Sequence, residues 1–157
     1  MWVVFRYAPL MNRRSALKTI ALGTSSLSVL ANAQTQPAAV KIAALETLKA
    51  EWDVKEFIWD GAPSLLVRIP TPDKKTMEAK TTLEAAKGVY ITAYTLNCTH
   101  NGCKVAAPDK EHVLACPCHG SAFNAADGSV KAGPAKKSLK GLKLEVRGAD
   151  VFAVSTL

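Results

Sequence analysis

Two short stretches that combine cysteine and histidine constrain this chain more than any other feature of its sequence. Box one reads CTHNGC from Cys98 to Cys103, and box two reads CPCHGS from Cys116 to Ser121. Together they contain all four cysteines and two of the three histidines. Iron–sulfur clusters are usually held by four thiolates, and a cluster with two imidazole ligands needs cysteine and histidine from each of two loops. The boxes therefore predict a metal centre shared by two loops.

The boxes resemble those of the Rieske family, whose patterns Cys-x-His-x-Gly-Cys and Cys-x-x-His-Gly-Ser are both intact here. By matching positions, the resemblance implies one Rieske-type 2Fe-2S cluster, with Cys98 and Cys116 on one iron. It places His100 and His119 on the other iron, with their outer ring nitrogens facing solvent. Because imidazole is neutral, two such ligands remove negative charge from the site and raise its reduction potential above that of an all-thiolate cluster.

Cys103 and Cys118 also lie in the boxes but do not match the ligand positions. Neighbouring thiols in an oxidising compartment are normally joined, although four cysteines alone leave three pairings open. The resemblance is to the exported, disulfide-containing members of the family, and it selects a Cys103–Cys118 bridge that ties the two loops together.

Five further residues match positions around the cluster in that family. Gly102 and Gly120 suit tight loops whose backbone approaches the sulfides, because no side chain blocks the approach. Ser121 matches a serine whose hydroxyl donates to a bridging sulfide. Phe123 stands where many quinol-oxidising members have tyrosine, which predicts a lower reduction potential than in those relatives. Pro134 resembles the proline of a loop that shields the cluster.

A structural zinc site is the main alternative for the two boxes, because zinc also takes four nitrogen or sulfur ligands at similar spacings. Two complete boxes in order, the second ending in Gly-Ser, favour iron and sulfide over zinc. A catalytic cysteine is disfavoured, since nothing distinguishes one thiol as a nucleophile.

Residues 1–33 are interpreted as a bacterial export signal, although 1–10 fit such a signal poorly and Met11 is favoured over Met1 as the natural start. Arg13 and Arg14 precede an uncharged run over 19–30, and the stretch ends in the Ala-x-Ala of a peptidase site at Ala33. The paired arginines resemble the twin-arginine signal, whose route exports folded proteins and so suits a cofactor inserted in the cytoplasm. We therefore expect cleavage before Gln34 and a location in the bacterial periplasm.

The alternative to cleavage is a signal that is kept as a membrane anchor. A spanning helix needs about 20 mostly apolar residues, and no charge occurs between Lys18 and Lys41. Glycine, serine, asparagine and glutamine dilute that stretch, so membrane association is the less favoured interpretation.

The rest of the chain is expected to form one domain. The formal charge is +7, but four of the 20 basic residues lie before residue 34, where there is no acid, which leaves 16 basic and 13 acidic residues, or +3. This small excess, without a basic stripe interleaved with aromatics, argues against nucleic acid as a partner. We expect a flexible leader over 34–39 and a domain over 40–157, whose cluster-binding part covers about 97–136.

Alternating or short continuous apolar runs predict an all-β fold, an antiparallel sandwich or barrel of short strands with a two-loop cluster-binding subdomain. The predicted strands cover 40–42, 52–59 with a bulge or end near Glu56, 64–69, 89–96, 142–146 and 151–154. Residues 104–115 are expected to form a hairpin that turns at 108–110, and Asp127-Gly128 predicts a tight hairpin turn. For 82–86, a short helix capped by Thr82 and a solvated insertion fit equally well.

The most favoured function is one-electron transfer in the periplasm, as a soluble carrier or as the small subunit of an oxidoreductase. Small subunits of arsenite oxidase are similar in leader, size and placement of the boxes. The partners implied are a molybdenum oxidoreductase large subunit, a cytochrome c or a cytochrome bc complex. A Rieske oxygenase is excluded because its second iron needs two histidines and a carboxylate, and only His112, interpreted as an ordinary surface residue, remains.

Two points stay open from the sequence. A membrane-anchored Rieske subunit of a cytochrome bc-type quinol oxidoreductase is the alternative function, since it shares the boxes and the disulfide. Four lysines follow the proline loop, and they form either a solvated face or a surface that steers an acidic redox partner: Lys136, Lys137, Lys140 and Lys143.

Overall fold

The computed structural model describes residues 38–157, so the predicted export signal over 1–33 and most of the predicted leader lie outside the described residues. Within this range ten strands and one short α-helix follow each other along the chain. The elements are β1 (Val40–Ala44), β2 (Val54–Trp59), β3 (Ala62–Ile69), α1 (Lys74–Glu78), β4 (Thr82–Ala86), β5 (Val89–Thr95), β6 (Val113–Ala115), β7 (Ala122–Asn124), β8 (Val130–Ala132), β9 (Leu142–Arg147) and β10 (Asp150–Thr156).

The strands form three antiparallel sheets. Their orders are β1-β10-β9, β2-β3-β5-β4 and β6-β7-β8. Every pairing between these strands is antiparallel, which confirms the predicted all-β class. Among residues 38–157, no helix is long and apolar enough to cross a membrane.

The four-stranded sheet contributes to two hydrophobic cores because its central strand β3 is apolar on both faces. Leu65 and Val67 pack in one core with Leu114 of the small β6-β7-β8 sheet. Leu66, between them in sequence, belongs to the other core together with Val151 of the β1-β10-β9 sheet. All five side chains are fully buried, and each burial of this kind contributes about 1.5–3 kcal/mol.

The strands next to the boxes determine where the two loops lie. β5 runs directly towards box one, β6 ends immediately before box two, and β7 begins immediately after it. The fully buried Tyr94 on β5 donates a hydrogen bond to the carbonyl oxygen of Ala125, just beyond β7, at 2.8 Å. One buried contact therefore links the strand that enters box one to the strand that leaves box two.

Two predictions about secondary structure were wrong. β2 pairs with β3 in unbroken register from Val54 to Trp59, so no bulge or end occurs near Glu56. Residues 82–86 form strand β4, paired with β5, instead of a helix or a solvated insertion. The helix lies earlier, where the Asp73 carboxylate accepts the N–H of Thr76 and caps its first turn. Pairing with the long strand β5 outweighs the helix propensity of the alanines and glutamate.

The segment between the boxes is only partly the predicted hairpin. The chain does reverse, since Ala106 donates to the carbonyl of Ala115. The turn is later than predicted, because His112 N–H donates to Asp109 O, and only the second arm is a named strand. His112 is also half-buried and stacks on Trp52 with ring centroids 3.7 Å apart, so it is a packed side chain and not the ordinary surface residue that we predicted.

The remaining turns agree with the sequence. Asp127-Gly128 joins β7 to β8, and Asn124 N–H closes this turn on the carbonyl of Ser129 at 2.8 Å. β9 and β10 form the predicted terminal hairpin around Gly148.

Candidate metal centre

The two boxes have the same backbone hydrogen-bond pattern, although their sequences differ. In box one, Cys98 N–H donates to the carbonyl of Cys103 at 2.9 Å, and Gly102 N–H returns to the carbonyl of Cys98 at 2.7 Å. In box two, Cys116 N–H donates to Ser121 O at 2.7 Å, and Gly120 N–H returns to Cys116 O at 3.1 Å. Each loop therefore starts at a cysteine and closes on it through the glycine four positions later.

The two box glycines are required by the backbone conformation. Gly102 has φ +77° and Gly120 has φ +71°, in the left-handed region that favours glycine. No protein atom lies within 4 Å of the position that a Cβ would take on either residue. These torsion angles confirm the tight loops that we predicted at both positions.

The four cysteines separate into one disulfide and two free thiols. Cys103 and Cys118 are joined, as the resemblance implied. Cys98 and Cys116 are free, and both are buried. The sulfurs of Cys103, Cys116 and Cys118 lie within 4.8 Å of one another. Because two of these sulfurs form the disulfide, only the two buried thiols are left as sulfur ligands.

The two histidines of the boxes lie together on the outside of the loops. His100 and His119 are both exposed, and their ring centroids are 4.9 Å apart with the planes nearly perpendicular at 86°. Buried thiols and exposed imidazoles therefore form the inner and outer parts of a single site.

Several donors converge on the sulfur of Cys98. Burial raises the pKa of this thiol, but the backbone N–H of His100 and the side chain of Cys116 lower it. The backbone N–H of Asn101 and the hydroxyl of Ser121 lower it further, so that the pKa lies below its ordinary value. A thiol surrounded by donors favours the thiolate, which is the form that binds metal.

A third loop, residues 133–137, lies against both boxes. A Cβ on Gly133 would come within 2.6 Å of the carbonyl oxygen of Gly120 and of the Cα of Ser121. Ala135 N–H donates to the hydroxyl oxygen of Ser121 at 3.1 Å, and the half-buried Pro134 lies between these two contacts. The sequence predicted a shielding loop here but not the closeness of its glycine to box two.

Phe123 lies behind box two on β7. Its side chain is fully buried and belongs to the same hydrophobic core as Cys98 and Cys116. Unlike the tyrosine that many quinol-oxidising relatives have at this position, phenylalanine has no hydroxyl group to donate a hydrogen bond there.

The residues present fit a Rieske-type cluster. Two free buried thiols and two exposed imidazoles, delivered by two equivalent loops, are the donor types that such a cluster needs. Cys98, Cys116, His100 and His119 would hold it, and the disulfide leaves no further thiol in the boxes to compete for the metal.

Comparison with known proteins decides the family. Residues 38–143 match the family model of the Rieske 2Fe-2S domain. The chain belongs to the Rieske family. This Rieske domain implies a 2Fe-2S cluster and electron transfer, in agreement with the donors described above.

Two relatives illustrate the range of similar Rieske proteins. The iodate reductase subunit IdrB of Denitromonas iodatirespirans is 33% identical over 126 residues, which cover 72% of this chain and 68% of that subunit. The cytochrome b6-f complex iron-sulfur subunit of Synechococcus sp. strain JA-3-3Ab is 44% identical over 63 residues, covering 39% of this chain. That match spans only 36% of the cytochrome subunit.

Solved Rieske structures share the fold. The plasma membrane Rieske protein of Synechocystis PCC 6803 is 28% identical, with a TM-score of 0.54 over 74% of this chain and 99% of that one. The soluble domain of Rieske protein II from Sulfolobus acidocaldarius also has a TM-score of 0.54, at 24% identity, and shows the fold alone.

Proposed function

We propose that this Rieske protein transfers single electrons in the bacterial periplasm, as a soluble carrier or as the small subunit of a periplasmic oxidoreductase, and that Cys98, Cys116, His100 and His119 are the ligands of its cluster. The observation that carries the proposal is the arrangement of the site. Two thiols are buried behind the disulfide-linked loops, and two imidazoles are exposed at their ends.

The bound cluster supplies a one-electron couple, and the protein determines access to it. The exposed rings of His100 and His119 form the side on which a redox partner can approach. The Cys103–Cys118 disulfide joins the two boxes, and the 133–137 loop contacts both of them, so the boxes are restrained relative to each other. A fixed environment reduces the rearrangement that accompanies each change of charge, which favours fast transfer.

The similarity to the iodate reductase subunit supports the assignment to an oxidoreductase, because that match extends over most of both chains. The "putative respiratory nitrate reductase subunit Rieske" of Haloferax mediterranei is 38% identical over 98 residues, which cover 62% of this chain and 42% of that subunit. An enzyme like arsenite oxidase, with a molybdenum-bearing large subunit, is the partner that we favour, with a cytochrome c as the electron acceptor.

A second candidate is the Rieske subunit of a cytochrome bc-type quinol oxidoreductase. It is favoured by the higher identity to cytochrome b6-f subunits, although those matches are short. Purification of the native protein separates the two candidates. A large oxidoreductase subunit that remains bound supports the first, whereas co-purification with a cytochrome b would contradict it.

Export by the twin-arginine route has its own test. Replacing Arg13 and Arg14 by lysine keeps the charge but removes the feature that the route recognises. The wild-type protein should be found in the periplasmic fraction with Gln34 as its first residue, and the double variant should stay in the cytoplasm. Periplasmic accumulation of the double variant would contradict this route, whereas a mature protein that still contains the arginines would contradict cleavage and support the retained anchor.

A further inference from the structure

We infer that the tip of this domain is a docking face for an acidic redox protein, with Lys136 and Lys137 as its main attractive charges. The tip is defined here as box one, box two and residues 133–137. This inference rests on the proposed electron-transfer function and adds the kind of partner that the site recognises.

The two lysines are placed at the tip by contacts of the backbone around them. The hydroxyl of Thr99 in box one donates to the carbonyl oxygen of Lys137 at 2.5 Å. On the other side of Lys136, Ala135 is bound to Ser121 of box two. Both lysines are exposed, as are the histidines of the two boxes. Both lysines therefore lie on an exposed loop whose backbone is bound to the two boxes that carry the imidazoles.

Neither lysine forms an ion pair with a neighbouring acid within the described residues. Among residues 38–157 three ion pairs occur, and neither lysine takes part in one. Lys104, which follows box one, differs in this respect because its ammonium lies 2.9 Å from the carboxylate of Glu56. The positive charge that remains available at the tip is therefore mainly that of the 133–137 loop.

The acidic residues of the cluster-binding part lie at the opposite end of the small sheet. β6 runs from the turn at 109–112 into box two, and β7 runs from box two to the turn at 125–128, so both turns lie at the other end of these strands from box two. Asp109 in the first turn accepts the N–H of Val113, and Asp127 in the second accepts that of Ser129. Both carboxylates thus accept backbone N–H groups in turns at the end of the small sheet opposite the boxes.

This uneven distribution of charge should attract an acidic partner to the tip more strongly than to other faces of the domain. The domain has an excess of only three positive charges, so net charge alone attracts an anion weakly to every face. The Debye length is about 10 Å at 0.1 M salt, so a partner at the imidazoles senses nearby charges far more than remote ones. Charge concentrated near a binding site raises association rates, by up to about 10- to 1,000-fold where a cleft focuses the field. A partner with carboxylates around its own redox centre fits this face.

The chain offers a matched control for the two tip lysines. Lys74 and Lys75 are also adjacent, exposed and free of the described ion pairs. They belong to helix α1, and Thr76 of that helix lines a cavity together with Ala126, in the turn at 125–128. The control pair therefore lies near the end of the small sheet that is remote from the tip.

The experiment uses the reduced, cluster-loaded protein and two forms of one electron acceptor. The mitochondrial cytochrome c used as the probe is basic, and the same cytochrome with succinylated lysines is acidic, so the two probes differ mainly in surface charge. Second-order rate constants are measured by stopped flow over a series of salt concentrations. For wild type, the rate with the acidic form should fall as salt increases, and the rate with the native form should rise.

The variants locate the charge that causes this dependence. Lys136→Glu/Lys137→Glu should lower the rate with the acidic cytochrome about tenfold at low salt and remove or reverse its salt dependence. Lys74→Glu/Lys75→Glu, with the same change in net charge, should change the rate less than twofold. If Lys136→Glu/Lys137→Glu lowers the cluster content, Lys136→Gln/Lys137→Gln is used in its place. Its rate with the acidic cytochrome should also fall, by about half as much on a logarithmic scale, because it removes two charges instead of reversing them.

Two outcomes would overturn the inference. Equal effects of the tip pair and the control pair would show that net charge alone determines the rate. Salt-independent rates in wild type would show that charge does not guide the encounter. A cluster-loaded protein that reduces neither cytochrome at any salt concentration contradicts the proposed function itself, and this result is distinct because it does not depend on the lysines.

Discussion

Gly133 provides the sharpest test of how the shielding loop is fitted to box two. A Cβ at this position would lie 2.6 Å from two backbone atoms of box two, Gly120 O and Ser121 Cα, and 2.9 Å from Ser121 N. Backbone atoms cannot rotate away as the end of a side chain can. In Gly133→Ala, the loop and box two must therefore move apart.

The cost of Gly133→Ala has two parts. The residue has φ +87°, and a left-handed conformation costs a residue with a Cβ about 1–2 kcal/mol. Forcing a methyl group into a filled space adds about 1–3 kcal/mol. We therefore expect a loss of about 2–5 kcal/mol in the free energy of unfolding. Gly148→Ala is the control, because Gly148 has φ +64° with nothing within 4 Å of its Cβ position, and it should lose only the first part.

The assay is urea unfolding of the cluster-loaded proteins, followed by circular dichroism and by the visible absorbance of the cluster. Gly133→Ala should lower the urea midpoint clearly more than Gly148→Ala, and its cluster should be lost before the sheets unfold. If the two variants lose the same stability, the close approach of Gly133 to box two is not a significant constraint, and the reasoning is refuted.

Three further predictions follow from single contacts. Replacing Cys103 and Cys118 by serine opens a loop closed over a sequence separation of 15, and we expect a loss of about 3 kcal/mol in urea unfolding; an unchanged midpoint would contradict this. Tyr94→Phe should cost about 1–3 kcal/mol, because the buried carbonyl of Ala125 loses its donor, and a neutral result would remove its proposed linking role. Burial raises the pKa of Tyr94, so the tyrosine stays protonated in the folded protein at a pH where it ionises in the unfolded chain. The stability that the protonated tyrosine contributes is complete below a pH of about 10 and declines as the pH rises further. The Tyr94→Phe variant should lack this alkaline decline. Phe123→Tyr should raise the reduction potential measured by protein-film voltammetry, since it adds a hydroxyl donor beside the centre, and an unchanged or lowered potential would dismiss the role given to Phe123.

The sequence predicted those parts of the centre that depend on local pattern. The glycine at the fifth position of each box corresponds to the same positive φ and the same closing hydrogen bond in both loops. The Cys103–Cys118 bridge came from the resemblance, and the structure contains it. These features are local or restricted to two loops, so residue type alone is informative about them.

The features that the sequence did not predict depend on contacts between distant segments. The sequence of residues 82–86 predicted a short helix or a solvated insertion, and these residues form a strand because they pair with β5. The bond from Thr99 to Lys137 and the stack of Trp52 on His112 join residues 38 and 60 positions apart. No periodicity or turn signal within one segment carries such information, so these contacts require the three-dimensional structure.

The central claim is that a 2Fe-2S cluster is held by two cysteines and two histidines at this tip. Pulsed electron paramagnetic resonance of the reduced native protein tests it most directly, with histidine nitrogens labelled by ¹⁵N in a second sample. We predict couplings to two nitrogens that change on labelling, and the loss of one of them in His100→Cys or His119→Cys. A protein that contains zinc, or a paramagnetic cluster without nitrogen couplings, would contradict the claim.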